Sequence, residues 1–262
     1  MENTVIPPPV PDNAPSMTVI DGSGAATGAT TEKKKRIVIA LPGRQFSNHF
    51  LKSWTQTLYT LFDKKYEIII SNEYSSYVPF SRMQTLGLDV GRGPNQLPFD
   101  GKLDYDVWLT IDSDIVFTAE QVIQLIENID THPVVCGLYR MQDMKNFAAV
   151  EKWDEAYFLE NRTFKFLTPE YVDEYKKTSN EKFIKLVYSG MGFFACRRGV
   201  IESLKYPYFH RELQQIRDEN GKVIMVDMCS EDVAFCKNLI DAGYSIYADC
   251  DLRVGHEKNY II

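Results

Sequence analysis

The sequence contains no apolar run close to the roughly 20 residues that cross a bilayer, and it starts without a signal-peptide pattern. It also contains no C-x-x-C pair, and its five cysteines are an odd number. They lie inside apolar segments, at Cys136, Cys196, Cys229, Cys236 and Cys250. Reduced, buried thiols of this kind are typical of a cytosolic compartment. The sequence therefore predicts a soluble cytoplasmic protein without a transmembrane segment.

Basic charge is scarce as well. The formal net charge is −7, and no basic stripe alternates with aromatic residues, so a nucleic-acid partner is not expected. Apolar residues make up 44% of the 262 residues, which is enough to bury the core of one large domain.

Residues 1–32 differ in composition from the rest of the chain. They are rich in Pro, Gly, Ala, Ser and Thr and would bury too little surface to offset the entropy lost on ordering, so we predict a disordered tail. Residues 33–262 alternate strand-like apolar runs with amphipathic helical segments. The runs lie at 37–41, 68–70, 107–111, 134–139 and 245–249. This alternation predicts an α/β domain with a Rossmann-like, mostly parallel central sheet, helices on both faces and a smaller mixed subregion.

Polar or turn-forming residues follow three of the predicted strands. Pro42 and Arg44 follow the first strand, Asn72 follows the second, and Asp112-Ser113-Asp114 follows the third. Ligands bind beyond the carboxyl ends of the strands in parallel sheets of this kind. We therefore expect these residues to meet in one crevice.

Asp112-Ser113-Asp114 carries the strongest chemical signal. Two carboxylates flank one small residue where a buried strand ends. Carboxylate oxygens suit Mg²⁺ or Mn²⁺, and these ions keep open positions for substrate phosphates. The same triplet also fits an acidic, solvated turn that binds nothing, so its position among the other strand ends has to decide between the two interpretations.

Four further patterns in the sequence could belong to a site. Ser230-Glu231-Asp232 opens a later helix, where the carboxylates either cap the helix or include a general base. Gly190-Met191-Gly192 interrupts an apolar strand and allows close approach of a ligand, or forms a bulge. Arg82 could bind a diphosphate, orient the triplet carboxylates or lie on the surface. His256 is either a metal ligand or a packing residue.

In this order, the features resemble the GT-A fold glycosyltransferases, which carry a D-x-D motif and use nucleotide sugars. The resemblance spans roughly residues 35–258, and no internal repeat interrupts it. Two stretches, Leu41-Pro42-Gly43-Arg44 and Ile111-Asp112-Ser113-Asp114, also resemble the small soluble glycosyltransferase domains of large algal DNA viruses.

The resemblance implies a site for Mn²⁺ or Mg²⁺ and a base for the acceptor. Asp114 would bind the metal, Asp112 would contact the metal or the donor ribose, and His256 would complete the metal shell. Asp232 would be the general base, with Glu231 as the alternative. The residues expected to bind the donor are Pro42, Arg44, Asn72, Arg82, Asp112, Ser113, Gly190 and Gly192.

The function implied is transfer of a hexosyl or deoxyhexosyl group from a UDP-sugar, or another nucleoside-diphosphate sugar, to a glycan, glycoprotein or other hydroxyl acceptor. We expect an inverting reaction in the cytoplasm, which would be host cytoplasm for a viral protein. Residues 33–140 would form the nucleotide-binding half, and residues 141–262 would form the acceptor half.

Two other functions fit parts of the pattern. In a haloacid-dehalogenase-like, Mg²⁺-dependent phosphatase, Asp112 would be the nucleophile, and Asp249 and Asp251 come nearest to the paired-Asp motif required downstream. A non-catalytic module that binds nucleotide sugars would be favoured if Glu231 and Asp232 pointed away from the crevice.

Overall fold

The structure is a computed structural model that describes residues 17–20 and 34–258. The strands are β1 Met17–Ile20, β2 Arg36–Pro42, β3 Glu67–Glu73, β4 Val107–Ile111, β5 Ile115–Val116, β6 Val134–Tyr139, β7 Ala149–Val150, β8 Phe183–Leu186, β9 Tyr188–Ser189, β10 Phe193–Arg197, β11 Glu212–Arg217, β12 Val223–Cys229 and β13 Ile246–His256. The helices are α1 Asn48–Asp63, α2 Val78–Thr85, α3 Ala119–Asn128, α4 Glu155–Asn161, α5 Pro169–Ser179 and α6 Glu231–Asp241.

A nine-stranded sheet organises the described residues, in the order β1-β3-β2-β4-β10-β6-β13-β5, with β8 also paired to β13. β3, β2 and β4 are mutually parallel, and β6 is parallel to β13. β10 lies between β4 and β6 and is antiparallel to both, so β4 and β6 point the same way. The prediction of an α/β fold with a mostly parallel central sheet is confirmed for these central strands.

The antiparallel β10 is the main departure from the predicted sheet. The segment before it, β9, pairs with β7 in a separate small sheet, and the chain enters β10 directly after Gly190-Met191-Gly192. The first four residues of β10 are buried. A short apolar run is buried on both faces only when it lies inside the sheet, between two other strands. Because β10 starts at the carboxyl edge of its parallel neighbours, it must run antiparallel to them.

Helices cover both faces of the sheet, as predicted. Ile37 and Ile39 of β2 belong to the core that also contains Phe50 of α1 and Val122 of α3. Val38, on the opposite face, belongs to the core formed with residues of α2, α5 and α6. Full burial of one such aliphatic side chain stabilises the fold by about 1.5–3 kcal/mol, so the alternation along β2 sets the orientation of the strand.

Local capping signals position the helices nearest the candidate site. Ser47 caps α1 and accepts a hydrogen bond of 3.1 Å from the backbone N of Phe50. Thr118 and Gln121 form a capping box at the start of α3, with reciprocal hydrogen bonds of 3.3 and 2.9 Å. Both helix starts are therefore determined by a few neighbouring residues in the sequence.

Part of the predicted disordered tail is ordered in the structure. Residues 17–20 form β1, which pairs antiparallel with β3 at the edge of the sheet. The sequence Met-Thr-Val-Ile favours a strand, and the outer edge of β3 offers unpaired backbone groups. The other residues of the 1–32 segment lie outside the part of the chain that is described.

The last strand is longer than predicted. β13 runs over Ile246–His256, beyond the expected end at residue 249, because it changes partner along its length. Its first residues pair with β8, it pairs with β6 both at 247–248 and at 253–254, and its last two residues pair with β5. This extension carries His256 to the carboxyl edge of the sheet.

The five cysteines are buried and unpaired, as predicted. Burial raises the pKa of the Cys136 thiol to about 12, which keeps it protonated and unreactive. Within residues 17–20 and 34–258, no helix has the length and apolar character needed to cross a membrane.

Asp249 is a fully buried carboxylate that joins α3 to β13. Its Oδ2 accepts hydrogen bonds from Asn128 (2.7 Å) and Gln124 (2.8 Å), and Lys182 lies 3.1 Å away. Its Oδ1 accepts from the backbone N of Asp251 at 3.0 Å. Asp249 is therefore occupied inside the fold, and the structure does not present Asp249 and Asp251 as the paired metal motif of a phosphatase.

We expect Asp249→Asn to lower the free energy of unfolding by about 2–4 kcal/mol near neutral pH, because hydrogen-bond donors would then face an amide. Burial acts to raise the pKa of Asp249, but the hydrogen bonds from Asn128, Gln124 and Lys182 outweigh it, so the pKa lies below the ordinary 3.8. A carboxyl shifted in this direction stabilises the fold above its unfolded pKa, and the contribution is lost as the pH falls through the folded pKa.

Urea unfolding at several pH values measures this effect. The difference in stability between wild type and Asp249→Asn should be constant above about pH 5 and shrink as the pH falls below about 4. Asp251→Asn is the neighbouring control, since Asp251 is half-exposed and pairs with Lys176 at the surface. An Asp249→Asn deficit that persists unchanged at pH 2.5 would contradict the expectation.

Candidate active site at the carboxyl edge of the sheet

The loops after β2, β3 and β4 meet at one edge of the sheet, as predicted. A Cβ atom on Gly43 would lie 3.0 Å from the Cβ of Ser113, so the loops after β2 and β4 are in close contact. The side chain of Asn72 donates to the carbonyl oxygens of Leu41 and Gly43 at 2.7 and 2.8 Å. In this structure Asn72 thus stabilises the end of β2, next to the partly buried Pro42.

Arg44, also predicted to bind the donor, lies at the exposed rim of this edge. Its guanidinium carbon is 4.5 Å from the ring centroid of Tyr74, so the two side chains stack by a cation–π contact. The structure therefore places Arg44 near the other predicted residues, with a partner of its own chain.

Asp112 is bound by a buried arginine. The two terminal nitrogens of Arg82 donate to the two carboxylate oxygens of Asp112, each at 3.0 Å. The Arg82 side chain is only 6% exposed, and that of Asp112 is 28% exposed. This bidentate pair places Arg82 against a carboxylate of the triplet, the contact that one of its three predicted possibilities requires.

Arg82 also reaches the acidic start of α6. Its Nε lies 3.5 Å from Oε1 of Glu231, whose side chain is 12% exposed. Burial acts to lower the pKa of Arg82, but Asp112 and then Glu231 outweigh it, so the pKa is raised above its ordinary value. One permanently charged guanidinium thus holds the acidic triplet and the acidic pair together.

Asp114 faces the opposite side of the triplet, toward the end of β13. Its Oδ2 accepts a hydrogen bond from Nζ of Lys258 at 2.7 Å and lies 3.1 Å from Nε2 of His256. Burial acts to raise the pKa of Asp114, but the contacts with His256 and Lys258 outweigh it and lower the pKa to about 2. Asp114 is therefore a carboxylate at any physiological pH.

The orientation of His256 follows from its second nitrogen. Nδ1 lies 2.7 Å from the carbonyl oxygen of Arg140, so this nitrogen carries a proton and donates. A proton on Nε2 donates to Oδ2 of Asp114, and the same nitrogen could bind a metal ion once that proton is lost. A backbone carbonyl that holds the other ring nitrogen is the usual support of a metal-binding histidine.

The predicted metal ligands are only partly brought together. Among the described residues, no group of three or more His, Cys, Asp or Glu side chains converges on one point, and Asp112 is turned toward Arg82. The Asp114 and His256 donor atoms are 3.1 Å apart. This separation fits two adjacent corners of an octahedron with metal–ligand distances of about 2.1 Å. Asp114 and His256 could therefore hold Mn²⁺ or Mg²⁺, provided that Lys258 moves away.

Asp232 is held by several donors at the start of α6. The hydroxyl of Tyr188 donates to Oδ2 at 3.0 Å, and the hydroxyl of Ser230 donates to Oδ1. Ser230 occupies the cap position of α6 as predicted, but its side chain accepts no hydrogen bond from the helix because it is directed to Asp232. Asp232 is thus an oriented carboxylate at a helix N-terminus, where the helix dipole stabilises negative charge.

The glycines of Gly190-Met191-Gly192 are explained by Tyr139. A Cβ on Gly190 would lie 2.1 Å from the Tyr139 hydroxyl, and a Cβ on Gly192 would lie 2.9 Å from Cζ of that ring. The backbone N of Gly192 donates to the same hydroxyl at 3.1 Å, and its carbonyl accepts from the backbone N of Asp112 at 2.9 Å. The close approach that requires glycine is made by a side chain of the protein, and contact of these glycines with a donor remains a prediction.

We expect Gly190→Ala to destabilise the protein by about 1–3 kcal/mol, because the added methyl group cannot fit beside Tyr139. In the background of Tyr139→Phe, which removes the oxygen at the clash, the same change should cost less. Urea unfolding of the four proteins gives the coupling energy. Equal costs in both backgrounds would show that Tyr139 is not the reason for the glycine.

Three residues of this region were not predicted from the sequence. Lys258 follows His256 by two positions but carries no motif, while Tyr188 and Tyr139 look like ordinary strand aromatics. Burial raises the pKa of both tyrosines, which keeps their hydroxyls protonated. The only sequence signal was indirect: the glycines at 190 and 192 are positions where a bulky side chain can pack directly against the backbone.

Comparison with known proteins gives similarity of fold. No protein-family model matches the sequence, and no curated protein matches it. Among solved structures, A197 from STIV is similar with a TM-score of 0.45 and 16% identity over 87% of this chain and 96% of that chain. Glucosyl-3-phosphoglycerate synthase from Mycobacterium tuberculosis, in complex with Mn²⁺, UDP and phosphoglyceric acid, is similar with a TM-score of 0.44 and 14% identity, over 87% of this chain and 72% of that chain.

GalNAc-T7, solved with UDP, GalNAc and Mn²⁺, is similar with a TM-score of 0.41 and 13% identity, over 87% of this chain and 43% of that chain. Because the identities are low and the TM-scores are below 0.5, the ligands and reaction of this chain have to follow from its own site.

Proposed function

We propose that the protein is a glycosyltransferase that moves a hexosyl or deoxyhexosyl group from a UDP-sugar to a hydroxyl of a glycan acceptor. The observation that carries this proposal is the buried Arg82, which contacts both Asp112 and Glu231. It brings an acidic triplet at a strand end and an acidic pair at a helix start into one site. This supports the proposal because the residues proposed for the leaving group and for the base then contact the same arginine or its immediate neighbours.

The triplet supplies the donor side of the proposed site. Asp114 and His256 are the residues that would hold Mn²⁺ or Mg²⁺, and the ion would offset the negative charge that develops on the leaving diphosphate. Lys258, which pairs with Asp114 in this structure, would have to release that carboxylate to the ion. Asp112, fixed by Arg82, is left to orient the donor.

The acidic pair supplies the acceptor side. In the proposed single displacement, the acceptor oxygen bonds to the anomeric carbon as the bond from that carbon to the diphosphate oxygen breaks. The acceptor proton passes to Asp232, whose carboxylate Tyr188 and Ser230 orient. Glu231 instead holds Arg82, so Asp232 is the better candidate for the base.

The contacts of the acidic residues disfavour the two other functions. A phosphatase would need Asp112 as a free nucleophile, but Arg82 binds both of its carboxylate oxygens. A non-catalytic module that binds nucleotide sugars would be favoured if Glu231 and Asp232 pointed away from the crevice. Glu231 instead faces Arg82, the arginine that holds Asp112.

Calorimetric titration with UDP-sugars, with and without Mn²⁺, tests the proposal. We expect wild type to bind a UDP-sugar only with the metal, and we expect Asp114→Asn to lose at least about 100-fold in affinity because a metal ligand is removed. Asp130→Asn is the matched control, since Asp130 is 67% exposed and pairs with Lys35. Full binding in the presence of a chelator, or in Asp114→Asn, would contradict the metal site.

A further inference from the structure

An aromatic cleft of about 700 Å³ lies beside the candidate site, between α6, the β11-β12 hairpin and the segment around α4. This volume is in the range of small-molecule binding sites, about 300–1,000 Å³. Its apolar wall residues include Trp153, Phe158, Phe164, Ile216, Met225 and Val233. None of them was singled out from the sequence, and the proposed chemistry does not use them.

The cleft reaches the residue next to the proposed base. Ser230 lines the cleft, and its hydroxyl donates to Asp232. Aromatic rings connect the wall to the same carboxylate, since Phe166 lies between Phe164 and Tyr188 at centroid distances of 6.1 and 6.3 Å. The hydroxyl of Tyr188 then donates to Asp232. A molecule in the cleft would therefore lie next to Ser230, whose hydroxyl holds the carboxylate of Asp232.

The charge of the lining disfavours an anionic ligand. Four carboxylates line the cleft, from Asp154, Glu155, Asp227 and Asp241. The lining cation is Lys237, and it is paired with Glu212 at 2.6 Å. A phosphorylated or sulfated ligand would be repelled, and a purely apolar chain would leave these carboxylates desolvated without a partner.

The wall chemistry is suited to sugar rings. Trp153 is 41% exposed, and its contact with Phe164, at 5.0 Å between centroids, holds it at the wall. Rigid aromatic faces pack against the C–H faces of pyranose rings, while carboxylates and the amides of Gln214 and Gln215 can bond to sugar hydroxyls.

We propose that this cleft binds a neutral oligosaccharide acceptor and directs its terminal hydroxyl to Asp232. The proposal rests on the proposed function for the role of Asp232, but binding in the cleft can be measured without turnover. It narrows the acceptor from any hydroxyl compound to an uncharged glycan.

The test is binding of the full chain to an array of neutral, sulfated and phosphorylated oligosaccharides, followed by calorimetry with the neutral glycan that binds. Wild type should bind neutral members. Trp153→Ala should lose at least about tenfold in affinity, and Trp153→Phe should retain most of it. Gln214→Ala, on the opposite wall, should lose affinity as well, and Tyr59→Ala is the control because Tyr59 is 71% exposed on α1, outside the cleft.

Three outcomes would overturn the proposal. They are absence of binding to any neutral glycan, binding to anionic glycans alone, and unchanged affinity in a folded Trp153→Ala. Titration of wild type with UDP and Mn²⁺ separates this failure from failure of the proposed function. If the protein binds UDP but no neutral glycan, the cleft proposal is wrong and the proposed function stands. If it binds a neutral glycan but not UDP, the cleft proposal stands and the proposed transferase function is wrong.

Discussion

Asp232→Asn is expected to lower the rate of sugar transfer by about 10²–10⁴-fold while leaving the affinity for the nucleotide sugar unchanged. The amide keeps the size of the side chain and can still contact Tyr188 and Ser230, but it cannot accept the proton of the acceptor. The residues proposed to contact the donor lie on the other side of Arg82 and should remain intact.

The measurement is release of UDP in the presence and absence of acceptor, together with calorimetric binding of the donor. Asp130→Asn serves again as the control for a surface carboxylate. Transfer at the wild-type rate in Asp232→Asn would remove Asp232 as the base and direct attention to Glu231, whose own change to Gln would then have to abolish transfer.

Arg82→Met is expected to lower the free energy of unfolding by about 3–5 kcal/mol and to abolish donor binding. Methionine fills much of the same space, but it leaves Asp112 and Glu231 as neighbouring carboxylates without their shared cation. The two charges would repel each other in a region that is shielded from solvent, and the triplet would lose its orientation.

A second change tests the cause of the loss. Arg82→Met combined with Asp112→Asn should recover part of the stability, because one unpaired charge is removed. Arg198→Met is the matched control, since Arg198 is 44% exposed and pairs with a half-exposed Asp104, and its loss should be about 1 kcal/mol or less. Equal losses in urea unfolding for Arg82→Met and Arg198→Met would contradict a special role of the buried pair.

The first half of the chain was largely predictable from local pattern. The apolar run of β4, the capping box of Thr118 and Gln121 and the cap at Ser47 each depend on residues close in sequence. Such signals depend on residues within one or two helical turns, or within one strand. They can therefore be recognised without knowing which helix or strand packs against the segment.

The second half was less predictable because its pairing is not local. β10 enters the sheet between two strands that precede it by many residues, and β13 changes partner from β8 to β5 along its length. Hydrophobic alternation shows that a segment is buried, but it does not show the neighbours beside which it lies.

The sequence by itself determined the kinds of residue available to the site, namely an acidic triplet at the end of a buried strand, an acidic pair at a helix start and a late histidine. Only the tertiary structure decided their partners. It placed Arg82 between Asp112 and Glu231, and it placed Asp114 beside His256 and Lys258. The physical reason is that a charged side chain takes its orientation from the charges and burial around it, and these come from distant segments that meet only when the chain folds.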